Sequence, residues 1–84
     1  MANFDLGLAK CYAKERAEGA MADYASYCKF HKINVFDTST EIGKNHEGLW
    51  NMSVKIGRCT TEEEINKYLE RISELRAAVM DNDE

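Results

Sequence analysis

The sequence predicts an α+β fold: a two-layer α-β-β-α domain in which an antiparallel two-stranded hairpin packs against two helices. Three observations predict it. Apolar residues recur at helical spacing in the first and last thirds of the 84-residue chain. In between, Trp50, Met52, Val54 and Ile56 alternate with Asn51, Ser53 and Lys55. A ten-residue polar stretch, Ser39 to Gly48, separates that run from a β-rich one; it is long enough for a hairpin and too short for a helical crossover.

The first element is a helix over residues 4–30, Ala-rich and laced with Lys and Glu, with Asn3 or Asp5 as its N-cap. At 100° per residue, Phe4, Leu8, Cys11 and Tyr12 share one face. Ala17, Ala20, Met21, Tyr24, Tyr27 and Cys28 share another, about half a turn away. The switch falls across Glu15–Gly19, and glycine costs a helix interior about 1 kcal/mol relative to alanine. Either the helix kinks there, or one long helix shows different faces to different neighbours, which implies a partner or a homodimer.

Residues 33–38, Ile-Asn-Val-Phe-Asp-Thr, read as the first strand by their β-branched and aromatic content. Gly43, Asn45 and Gly48 are turn formers of the connection. Residues 49–56 read as the second strand, with Trp50, Met52, Val54 and Ile56 towards the core and Leu49 outward. The last helix opens at Thr60-Thr61-Glu62-Glu63-Glu64, where Thr61 with Glu64, or Thr60 with Glu63, makes a capping box, and the acidic run favours the positive end of the helix dipole. Ile65, Tyr68, Leu69, Ile72, Leu75 and Val79 form its apolar stripe, with Lys67, Glu70, Arg71 and Glu74 facing away. Residues 1–80 are thus read as a single domain and residues 81–84 as an acidic disordered tail.

Size and charge narrow the function. A chain this short buries about 60–65% of its unfolded surface, so its stability is thin. The net charge of −4 is unevenly placed: residues 61–84 hold eight Asp or Glu against three Lys or Arg. That end disfavours nonspecific contact with phosphates and attracts a basic partner, although a solvated acidic helix has the same composition. Three widely spaced cysteines, Cys11, Cys28 and Cys59, are not a disulfide framework and point to a reducing compartment. The first residues lack the basic and apolar regions of a signal peptide, and no stretch is long enough to span a bilayer. The expectation is a cytoplasmic protein.

The segment Met52-Ser53-Val54-Lys55-Ile56-Gly57-Arg58-Cys59-Thr60-Thr61-Glu62-Glu63-Glu64-Ile65 resembles the C-terminal small-domain segment of the cysteine desulfurases, fold-type I pyridoxal phosphate enzymes. There a strand ending in Gly-Arg runs into a helix capped by Thr-Thr-Glu-Glu-Glu. The resemblance implies a strand-to-helix unit and no chemistry. The large domain with its Schiff-base lysine has no counterpart in 84 residues, and no cysteine stands in the pattern of the family's sulfur-carrying residue.

The candidate chemistry is sparse. Cys28 and His31 have a C-x2-H spacing that His46 and Cys59 would complete as four zinc ligands, but no second tight pair exists and Cys28 lies on an apolar stripe. Cys59 lies where a helix dipole lowers a thiol pKa, while three adjacent glutamates oppose thiolate formation. Gly43-Lys44 lacks the rest of a phosphate loop. A nucleic-acid module would need Lys29, Lys32, Lys44, Lys55 and Arg58 on one face. The leftover apolar side chains are more suggestive. Met21, Tyr24, Tyr27, Phe36 and Leu49 exceed what one small core needs, and exposed aromatics mark protein interfaces. The reading is a non-enzymatic protein-binding regulator or inhibitor without catalytic residues, cofactor or metal, resembling bacteriophage-encoded modulators of host proteins in size and charge. The alternatives are the nucleic-acid module and a small enzyme subunit.

Overall fold

The computed structural model describes residues 5–80, and within them the chain is three helices: α1 (Leu6–His31), α2 (Glu41–Ile56) and α3 (Glu62–Met80). No strand occurs among the described residues, so the α+β hairpin is corrected to an all-α bundle. The proposed acidic tail, 81–84, lies outside the described residues.

α1 begins at Asp5, whose carboxylate accepts the Leu8 amide at 3.0 Å, and runs unbroken through Gly19. It ends at Lys32, which takes the left-handed conformation (φ 58°) while the next amide, Ile33, returns to the Cys28 carbonyl at 2.7 Å. Of its two sequence faces, the second is the interior. Ala13, Ala17, Ala20, Tyr24 and Cys28 are buried at three- and four-residue steps, whereas Leu8, Cys11 and Tyr12 are exposed. The neighbours that use α1 are helices of the same chain. It packs extensively on both α2 and α3, while α2 and α3 meet over a short stretch. The three alanines offer no bulk beyond Cβ and let the helices approach closely. Gly19 leaves room for Arg76, whose guanidinium pairs with Asp23.

These contacts fix the directions. Lys10 donates to the Gly57 carbonyl at 3.0 Å, placing the end of α2 beside the start of α1, so the two run antiparallel; the cation also offsets the negative end of the α2 dipole. The Asp23–Arg76 pair joins the C-terminal halves of α1 and α3, which run parallel. Leu49, Ile56, Cys59, Ile65, Ile72, Leu75 and Val79 complete one core in a body of 48 × 23 × 15 Å.

Residues 33–38, read as strand, form turns instead. The Asn34 side chain accepts the Phe36 amide, the Asp37 amide donates to the Asn34 carbonyl, and the Asp37 carboxylate accepts from both the amide and the hydroxyl of Ser39. These local bonds satisfy backbone groups that a hairpin would have paired across strands. The Ser39 bonds also hold the Asp37 carboxyl below its ordinary pKa. Thr40 then caps α2 by accepting the Gly43 amide at 2.9 Å.

Residues 49–56, read as the second strand, form the second half of α2. Trp50 and Val54 are an i, i+4 pair on its outer flank, and Met52 and Ile56 a second such pair on the inner side. A helix therefore reproduces the apparent alternation, with a different inside. Leu49 is fully buried and Trp50 is 60% exposed, the reverse of the strand reading. Gly48 sits in mid-α2, where an added Cβ would meet nothing within 4 Å. Gly48→Ala should stabilise the fold by about 1 kcal/mol through helix propensity, seen as a higher urea midpoint at unchanged slope.

α3 forms where the sequence places it. Thr61 accepts the Glu64 amide at 3.2 Å, and Glu64 Oε1 accepts the amides of Thr60 and Thr61 at 3.1 and 3.2 Å. These bonds, first that from the Thr60 amide, hold the Glu64 carboxyl below its ordinary range. No helix among the described residues is long and apolar enough to cross a membrane.

Candidate functional site

Because α1 lies between its neighbours and the 33–40 turns project from the end of the α1–α2 pair, a cleft opens on the α1–α2 side. Met21 of α1, Phe36 of the turns, and His46, Glu47 and Trp50 of α2 line it, enclosing about 480 Å³. Phe36 is 77% exposed and meets His46 edge-on, with ring centroids 5.7 Å apart and planes at 89°. Burial pulls the His46 imidazole below its ordinary pKa, favouring the neutral ring. Glu47 is the one carboxylate of the lining, which holds no Lys or Arg.

The sequence-derived surface of Met21, Tyr24, Tyr27, Phe36 and Leu49 divides three ways. Met21 and Phe36 meet in this cleft. Tyr27 lies on the other side of α1, its ring tilted 38° against His31 with centroids 4.2 Å apart, in a cleft it shares with Phe30 and Met80 at the C-terminal ends of α1 and α3. Tyr24 and Leu49 have no exposed surface and are core side chains. Tyr24 projects from α1 toward both other helices. Its hydroxyl donates to the Leu75 carbonyl in α3; burial raises its pKa, and a hydrogen bond with the Asn45 side chain of α2 opposes the rise.

Trp50 and Glu47 were missed, and His46 was weighed as a zinc ligand rather than an interface residue, because the strand reading sent Trp50 indoors and left the other two in a loop. Helical projection of 41–56 would have found them: Glu47, Trp50 and Val54 share a flank about 100° or more from Leu49, with His46 at its edge.

The remaining candidates are scattered. Cys28 and Cys59 are buried free thiols in α1 and in the α2–α3 connection, His31 is exposed, and His46 belongs to the cleft. No group of three or more His, Cys, Asp or Glu residues placed to hold a metal occurs among the described residues. Burial pushes both buried thiols up, and the Glu64 charge adds to the rise at Cys59, so neither is poised as a thiolate. Of the five cations of the nucleic-acid reading, Lys29 and Lys32 end α1 and Lys44 begins α2. Lys55 and Arg58 sit at the other end of α2, which is about 24 Å long. The chain has no match among protein-family models, curated proteins or solved structures.

Proposed function

We propose that the chain is a non-enzymatic protein-binding module, a small regulator or inhibitor that docks a partner protein through the Phe36–Trp50 cleft. The supporting observation is the exposure of two large aromatic rings, which together with Met21 line one concave apolar site in a 9.6 kDa protein. Burying Phe and Trp from this degree of exposure is worth roughly 1.5–3 kcal/mol each, the scale of interface hot spots. Charge sets the kind of partner. Glu47 in the lining and the net charge of −4 favour a partner surface carrying a basic residue beside the group that enters. The division of the five cations between the two ends of the molecule gives the nucleic-acid alternative no supporting face.

A photo-cross-linking residue at position 36, compared with one at the equally exposed Phe30, tests this reading in the source cell. Adducts specific to position 36 should map to a partner site containing Lys or Arg, and should disappear in folded Trp50→Asp and Glu47→Lys variants. Equal adducts from both positions, or adducts indifferent to those variants, reject the cleft. An adduct consisting only of a second copy of this chain replaces the partner protein with a homodimer and overturns the reading.

A further inference from the structure

We propose that the group entering the cleft is a guanidinium, an arginine side chain of the partner; this rests on the docking reading above and specifies its chemistry. A site for an aliphatic anchor needs only apolar walls. This one combines two exposed aromatic rings, Phe36 and Trp50, with a carboxylate, Glu47, and has no Lys or Arg in its lining. Aromatic faces carry negative quadrupole potential and attract cations, most strongly at tryptophan. A carboxylate adds a directional acceptor that a planar guanidinium meets with two parallel N–H donors while its face rests on a ring. A lysine ammonium, more strongly hydrated and without a planar face, fits this combination less well. Burial favours the uncharged form of the remaining polar group, His46, which limits any opposing charge.

Trp50 is the chain's sole tryptophan, so its fluorescence reports on the cleft directly. The probes are acetylated, amidated Gly-Arg-Gly, Gly-Lys-Gly and Gly-Leu-Gly peptides, titrated into the full chain and followed by Trp50 emission and by amide shifts in nitrogen-correlated NMR spectra. The arginine peptide should saturate, with shifts centred on residues 46, 47 and 50, and should bind roughly threefold or more tighter than the other two. Glu47→Gln and Phe36→Ala should each weaken it by a similar factor, and added salt should weaken it further, whereas Phe30→Ala should not. Preferential saturation by the leucine peptide would overturn the cationic assignment while leaving docking intact. Failure of all three peptides to saturate a folded protein would also overturn it, and the cross-linking experiment then judges docking separately.

Discussion

Gly43→Ala should destabilise the protein by about 2 kcal/mol, although it places the best helix former at a helical position. An added Cβ at Gly43 would lie 1.9 Å from the Asp37 carbonyl oxygen and 2.6 Å from its carbon. The obstacle is backbone, so no side-chain rotation relieves it. That carbonyl also accepts the Thr40 amide at 3.1 Å and the Thr40 hydroxyl at 2.8 Å, so moving it disrupts the cap of α2 as well. The loss should exceed the helix-propensity gain of about 1 kcal/mol that Gly48→Ala collects in open space five residues later. In a domain this small, 2 kcal/mol lowers the melting temperature by about 8–16 °C. Thermal unfolding of the two glycine variants beside the parent checks the pair, because the two shifts should have opposite signs. Since the same turns carry Phe36, Gly43→Ala should also impair docking.

Tyr24→Ala should cost about 3–5 kcal/mol, enough to leave much of the chain unfolded at 25 °C. The ring is wholly buried where the three helices meet, and α2 and α3 hold one another only weakly, so Tyr24 is a main tie between them. Tyr24→Phe keeps the ring and removes the hydroxyl bond to Leu75; it should cost only about 1 kcal/mol. Urea unfolding followed by far-UV circular dichroism separates these values. A binding defect in a Tyr24 variant therefore reports loss of fold, and Phe36, Trp50 and Glu47 are the positions that report on the surface.

The sequence was legible where local chemistry and burial agree. Thr61 and Glu64 announce the start of α3, and Ile65, Ile72, Leu75 and Val79 mark its inner stripe without competition from glycine or proline. α2 was illegible because its first half, Gly43-Lys44-Asn45-His46-Glu47-Gly48, is built from turn formers and polar residues. Its second half places apolar residues on two opposite flanks two positions apart, which mimics a strand's period. Gly43 is there for close approach to Asp37, a reason that exists only in three dimensions. Residues 33–38 have β-branched and aromatic content, yet Asn34 and Asp37 capture the neighbouring amides, so the side-chain turns prevail over propensity.

The same misassignment displaced the site. The search for leftover aromatic surface depended on the strand assignment, and the inversion of Leu49 and Trp50 put the wrong member of the pair outside. Of the five residues singled out, Met21 and Phe36 line the cleft. Their companions there were readable only after α2 was known to be a helix.

The claim on which the functional account turns is that Trp50 stands in solvent beside Phe36, with Leu49 beneath it in the core. Acrylamide quenching of the single tryptophan, in dilute protein first checked to be monomeric, tests it most directly. The account predicts red-shifted native emission quenched at close to the rate found in the urea-unfolded chain. A blue-shifted native emission shielded from acrylamide would contradict it, placing Trp50 indoors and removing the cleft.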